Sequence, residues 1–142
     1  MSTFIQDPKY HRSLDIVLES LVATSAEAGR LLAREFGDKK TQIRGLERLI
    51  VSTSRFSEIQ NYIKNQAGRD SKTSEPWREV AEALLKQLDE IEAKAREIGG
   101  TDAEAVIDAK LRLARGWGRQ VVANYLFESV KEGRESRRHN RP

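Results

Sequence analysis

The chain has 142 residues, a length typical of one domain. Of these, 38% are hydrophobic and 33% are charged, and no apolar run is long enough to span a membrane. The absence of cysteine excludes disulfides and thiolate metal sites. The N-terminal residues lack the basic-then-apolar order of a signal peptide. We therefore expect a cytoplasmic protein and not a membrane protein.

Positive charge is concentrated in two separate segments. The formal net charge is +3, but residues 39–72 and 105–142 each carry +5, whereas residues 73–104 carry −5. Most basic residues are arginines, and the guanidinium group is suited to bidentate contacts with phosphate. A surface polarised in this way can bind nucleic acid or a second copy of the chain. The alternative is that solvated helix faces simply carry uneven charge.

Apolar residues recur at helical spacing in the first half of the chain. The first predicted helix runs from Ser13 to Phe36 and ends before Gly37, because glycine commonly follows the last residue of a helix. The second predicted helix runs from Thr41 to Ala67. Residues 68–74 are polar and form a predicted loop.

The second half of the chain predicts two more helices. One begins at Glu75-Pro76 and keeps an apolar heptad to Gly99-Gly100. Thr101 and Glu104 have the spacing of a capping box, with Thr101 as the cap, and the helix that follows is expected to continue to about Val130.

Long helices joined by short loops predict an all-α fold, an antiparallel bundle of four long helices. We expect this bundle to form a single domain over residues 1–130. The basic tail over residues 131–142, with Arg134, Arg137, Arg138 and Arg141, is predicted to be disordered.

Residues that carry catalysis or bind metals are scarce. Only His11 and His139 supply imidazole, and they lie near opposite ends of the sequence. The Glu-x-x-His pairs of a di-metal bundle are missing. The segment Gly116-Trp117-Gly118 lacks the Lys-Ser/Thr ending of a phosphate-binding loop. We predict a protein that is not an enzyme and that uses no metal ion or cofactor.

Arginines at helical spacing form a first candidate nucleic-acid-binding cluster on the second predicted helix. Arg44, Arg48 and Arg55 fall within about 40° of one another at 100° per residue. Such a row can contact successive phosphates of one strand. Lys39 and Lys40 extend it beyond the start of the helix.

A second basic cluster lies on the fourth predicted helix and comprises Lys110, Arg112, Arg115 and Arg119. For both clusters, the alternative is that these arginines are ordinary exposed side chains, some of them paired with Glu47 or Asp108.

Two glycines inside the fourth predicted helix require a reason, since each costs about 1 kcal/mol relative to alanine. Close packing of another helix around a buried Trp117 explains both Gly116 and Gly118. The alternative is a kink or a bare backbone patch approached by a nucleic-acid strand or a partner subunit. Further along this helix, Tyr125 is expected in the core, whereas Phe127 is a candidate exposed stacking or interface residue, as is Tyr62 on the second predicted helix.

The segment Thr41-Gln42-Ile43-Arg44 resembles the Ser/Thr-Gln-Ile-Arg motif of a known family, the small helical subunit of type III-A CRISPR effector complexes. In that family the motif opens the corresponding helix. Chain length, the position of the motif, the all-α pattern and a last helix ending in aromatics over residues 122–127 are also similar. The family's aromatic-Lys-Phe-Tyr-Gly-Gly ending is replaced here by the basic tail. The related type III-B subunit shares the helical form and leaves the subtype open.

The resemblance implies a non-catalytic subunit in antiviral defence. Such subunits stack as a filament beside other subunits of the complex and contact the backbone of target RNA paired with crRNA. The resemblance carries over only to Gln42 and Arg44. The other predicted RNA-binding residues come from charge and periodicity, namely Lys39, Lys40, Arg48, Arg55, Arg112, Arg115 and Arg119.

Two alternatives remain open from the sequence. One is a helical scaffold or dimerisation protein in which the arginines form only salt bridges. The other is a DNA-binding regulator, which requires two short helices joined by a turn of three or four residues. The four predicted helices are too long to form such a pair.

Overall fold

The structure of the protein, a computed structural model, describes the backbone of residues 3–139 and the side chains of residues 3–131 and 133. This part of the chain is helical and contains no strand, which confirms the all-α prediction. It has six α-helices rather than four: α1 (Pro8–Ser20), α2 (Val22–Phe36), α3 (Lys40–Ser52), α4 (Phe56–Gly68), α5 (Glu75–Gly99) and α6 (Ala103–His139). Short 3-10 helices precede α1 and α5, at Phe4–Gln6 and Lys72–Ser74.

The predicted first helix is two helices, divided at Leu21. The N–H of Leu21 is shared between the carbonyls of Val17 and Leu18. Ser20 and Ser25 donate their hydroxyls to the backbone carbonyls of Val17 and Leu21, and bonds of this kind bend helices. Because the apolar periodicity continues across Leu21 without glycine or proline, the sequence predicts one helix where the structure has two.

The predicted second helix is also divided, because residues 53–55 leave the helical path between α3 and α4. The hydroxyl oxygen of Thr53 accepts the N–H of Arg55 at 3.1 Å and donates to a carboxylate oxygen of Glu58 at 2.6 Å. Such side-chain bonds compete with the main-chain bonds of a helix. The prediction of one helix over Thr41–Ala67 is therefore wrong, and α3 and α4 are 13 residues each.

The last two helices agree more closely with the sequence. α5 has the predicted bounds. Asp102, rather than Thr101, caps α6, since its carboxylate accepts the N–H of Ala105 at 3.1 Å. α6 continues into the predicted tail as far as His139, so the predicted disorder of the tail is not confirmed there. Residues 140–142 lie outside the described residues.

α6 is the central element of the fold, because it packs against each of the other five helices. Two of its aromatic residues are completely enclosed by their neighbours, and each donates one hydrogen bond. The indole N–H of Trp117 donates to Gln87 at 2.8 Å. The hydroxyl of Tyr125 donates to the carbonyl of Gly37 at 2.7 Å, in the loop after α2. Tyr125 is thus a core residue, as predicted.

Glycines mark the closest helix contacts of α6. At Gly29 of α2, a Cβ atom would lie 2.9 Å from both the backbone N of Tyr125 and the backbone O of Val121. Gly116 packs on the side chain of Leu18 in α1, and Gly118 packs on Ile50 in α3. Close packing around a buried tryptophan therefore explains both glycines of α6, which continues through them without a break. Within the described residues, no helix is both long and apolar enough to cross a bilayer.

Candidate nucleic-acid interface

Three of the predicted RNA-binding arginines lie together at one cavity. Arg112, Arg115 and Arg119 of α6 line a cavity of about 370 Å³ between α6 and α1. At 1.5 Å per residue, Arg112 and Arg119 are separated by about 10 Å along the helix axis. The opposite wall comes from α1 and consists of His11, Leu14, Asp15 and Leu18. Gly116 allows α1 to approach α6 at this point, because its missing side chain leaves room for Leu18.

Arg112 is held by a hydrogen-bond network that includes the buried residue Tyr10. Its Nε donates to Oδ2 of Asp108 at 2.8 Å, and the hydroxyl of Tyr10 donates to the same carboxylate oxygen. Burial raises the pKa of Tyr10 above its ordinary value, and the hydrogen bond to Asp108 raises it further. Tyr10 is therefore a protonated donor at neutral pH. The side chain of Arg112 remains 46% exposed, so this network orients a guanidinium group that solvent and ligands can still reach.

Arg115 and Arg119 carry charge that no described carboxylate neutralises by an ion pair. Arg115 donates from Nη2 to the carbonyl of Thr53 at 3.3 Å, and its Nε is buried without a hydrogen-bond partner among the described residues. Arg119 is exposed. One carboxylate, Asp15, lines the cavity together with the three arginines. The cavity is therefore net positive, which favours an anionic ligand.

The predicted cluster on the second helix does not form as expected. Arg44 and Arg48 are exposed one turn apart on α3, and Arg44 pairs with Glu47 at 2.8 Å. Arg55 lies outside α3, directly before α4, so the predicted alignment of three arginines on one helix is wrong. Arg55 lines a separate depression of about 270 Å³ together with Lys110 of α6.

The other predicted residues of this cluster differ in their surroundings. Gln42 is half-buried, and its side-chain oxygen accepts the indole N–H of Trp77 at 3.2 Å. This bond gives Gln42 a structural role and keeps it apart from the exposed arginines of α3. Lys39 and Lys40 are exposed at the start of α3.

Several parts of the site could not be found from the sequence. His11 and Asp15 lie about a hundred residues before Arg112, and no sequence pattern connects α1 to α6. Of the two candidate stacking residues, Phe127 is 63% exposed, whereas Tyr62 packs edge-on against Trp77. Among the described residues, no group of histidine or acidic side chains is arranged to hold a metal ion.

Comparisons of the chain with protein-family models, curated proteins and solved structures found no significant match. The likeness of Thr41-Gln42-Ile43-Arg44 to the CRISPR subunit motif is a likeness of residues alone. A functional assignment therefore depends on the charge and geometry of the site.

Proposed function

We propose that this protein is a non-catalytic subunit that contacts the phosphate backbone of RNA through Arg112, Arg115 and Arg119. The observation that carries this proposal is the convergence of the three arginines on one cavity, two of them without an ion pair among the described residues. Guanidinium groups bind phosphate with paired, charge-assisted hydrogen bonds. Backbone contacts carry no sequence information, which suits a subunit that must accept a target of any sequence.

The larger assembly that we propose is a type III CRISPR effector complex. Its other components would be crRNA, target RNA, larger protein subunits and further copies of this chain. The resemblance of Thr41-Gln42-Ile43-Arg44 supports this assignment. The motif lies in the first turns of α3, and it opens a helix in the family as well.

The phosphate contacts are tested by removing two arginines and measuring the salt dependence of RNA binding. The double variant Arg112→Ala/Arg119→Ala leaves Arg115 in place, because Arg115 also bonds to the backbone of Thr53. The slope of log K against log salt is about 0.7 per phosphate contact on single strands, so we expect it to fall by about 1.4. The charge-matched control Arg34→Ala/Arg96→Ala removes exposed arginines from α2 and α5 and is expected to keep the slope.

The titration can contradict the proposal in two ways. An equal loss in the variant and the control would mean that only the net charge matters, which contradicts a defined site. Association of the wild-type protein that does not respond to salt would exclude phosphate contacts and favour a helical scaffold.

The assembly itself is tested by purifying the tagged protein from its own cells at low salt. Short RNAs of uniform length with repeat-derived ends, together with larger protein partners, are expected. A homo-oligomer free of RNA would contradict the assignment and favour a scaffold.

A DNA-binding regulator is the second candidate, and one observation favours it. α3 and α4 are short helices joined by three residues, the arrangement that the sequence did not predict, and they lie in the basic segment 39–72. Asn61 and Asn65 are exposed on α4, and amide side chains read adenine in the major groove. In this case Asn61→Ala/Asn65→Ala would weaken binding to a double-stranded DNA site, and Arg112→Ala/Arg119→Ala would not.

A further inference from the structure

An aromatic side chain on the second half of α6 is exposed to solvent. Phe127 is 63% exposed, although Tyr125, two residues earlier, is fully buried. The ammonium group of Lys131 lies 5.1 Å from the centre of the Phe127 ring and 3.7 Å from a carboxylate oxygen of Glu128. A flat ligand can stack on the face of the ring that Lys131 leaves open, and the ammonium group beside it can contact a negative charge on that ligand.

Phe127 follows the arginines of the cavity along the same helix. Arg119, Ala123 and Phe127 are exposed and succeed one another at steps of four residues, so Phe127 lies about 12 Å beyond Arg119 along the axis. Each of these steps turns the position by about 40° around the helix. A ligand bound at Arg119 would reach Phe127 by extending about 12 Å along α6 and about 80° around it.

The one described cation beyond Phe127 lies on the same side of α6 as the ring. Lys131 falls within about 40° of Phe127 around the helix, whereas Glu128 lies about 100° away from it. A ligand that carries negative charge is therefore favoured beside Phe127.

We propose that Phe127 and Lys131 form a stacking site for an unpaired nucleobase. The ring would cover one face of the base, while Lys131 would contact the adjoining phosphate. This inference rests on the proposed function, since the same strand would contact Arg119. It adds that the strand is single-stranded where it reaches the second half of α6, because the bases of a duplex already stack on one another.

The first test places a fluorescent reporter at the site. In Phe127→Trp, a stacked base is expected to quench the new indole during titration with oligouridylate, and a long RNA duplex is expected to leave it unquenched. Trp77 and Trp117 are at most 1% exposed, so their emission is removed by subtracting the wild-type titration. The matched control is Val22→Trp, because Val22 is 44% exposed at the start of α2, away from the cavity of Arg112 and from the depression of Arg55. This control is expected to show no quenching.

The second test measures affinity for the same oligouridylate. Phe127→Ala is expected to weaken binding about 5-fold to 150-fold, the range for the loss of one base–aromatic stack. Phe127→Tyr keeps a stacking ring and is expected to bind as the wild type does, whereas Phe127→Leu keeps only the apolar character and is expected to bind weakly. Circular dichroism of each variant checks that the helical content is unchanged.

The possible outcomes distinguish this inference from the function on which it rests. If Arg112→Ala/Arg119→Ala weakens RNA binding but every Phe127 variant binds normally, stacking is refuted and the arginine site stands. Stacking is also refuted if Phe127→Leu binds RNA as tightly as the wild type does. The same holds if the RNA duplex quenches the fluorescence of Phe127→Trp as strongly as oligouridylate does. If Phe127→Ala leaves RNA binding intact but dissociates an oligomer in sedimentation, Phe127 belongs to a contact between copies. If the wild-type protein binds neither probe, both proposals fail.

Discussion

Replacing Gly29 with alanine tests a close backbone contact in the fold, the crossing of α2 and α6. An alanine in a helix is ordinarily favoured over glycine by about 1 kcal/mol. Here the new Cβ would lie 2.9 Å from two backbone atoms of α6, which cannot move unless the whole helix moves. Overpacking of a well-packed core costs about 1–3 kcal/mol. We expect the cost at Gly29 to lie at the upper end of this range, because the new Cβ would meet backbone atoms rather than flexible side chains. We expect a net loss of about 2 kcal/mol in the free energy of unfolding.

The measurement is urea unfolding followed by circular dichroism, with thermal unfolding as a second assay. A loss of about 2 kcal/mol corresponds to a melting temperature lower by roughly 6 °C for a domain of this size. The control is Gly68→Ala, because nothing lies within 4 Å of a Cβ built on Gly68 at the end of α4. This control is expected to stabilise the protein by up to about 1 kcal/mol. If Gly29→Ala is as stable as the wild type, α2 and α6 do not cross as closely as described.

Two further predictions concern buried polar groups. Gln42→Met removes the acceptor of the Trp77 indole N–H and is expected to lower the free energy of unfolding by about 1–3 kcal/mol without changing RNA affinity. If the variant is stable but loses RNA affinity, Gln42 is instead a ligand contact. The pKa of Tyr10 is raised by burial and by Asp108, so its neutral form stabilises the fold below about pH 10, and that contribution is lost as the pH rises further. Tyr10→Phe is therefore expected to be less stable than the wild type at pH 8 but to lose less stability than the wild type between about pH 9 and pH 11. Urea unfolding at each pH measures both quantities. Equal losses of stability in the two proteins would contradict the role of Tyr10.

The fold class could be predicted from the sequence because apolar residues recur at helical spacing. The bounds of α5 could be predicted because a proline near its start and glycines at its end agree with that spacing. The division of the first two predicted helices, at Leu21 and at Thr53, could not be predicted in the same way. At Leu21 the apolar periodicity is uninterrupted, and the hydrogen bonds of Ser20 and Ser25 to backbone carbonyls leave no mark in that periodicity. At Thr53 a signal was present, since Ser52-Thr53-Ser54 is a cluster of loop-forming residues, but the apolar positions on both sides fit one helix.

The candidate site was predictable where it lies on one continuous helix. Arg112, Arg115 and Arg119 share α6, so their spacing in the sequence translates directly into a shared surface. Arg55 did not align with Arg44, because the prediction assumed one helix over Thr41–Ala67, whereas α3 ends at Ser52. The contribution of α1 to the cavity depends on tertiary packing, for which one sequence contains no local signal.

The central position of α6 has a consequence for how the chain is synthesised. α6 begins at Ala103, and each of the five helices before it packs against it. The apolar faces of α1–α5 therefore remain incompletely covered until the 40 residues from 103 to 142 have been translated. At roughly 5–20 residues per second, this takes about 2–8 s. During that interval the nascent chain is a substrate for chaperones and proteases, and a premature stop before α6 would leave it without the helix that closes its core.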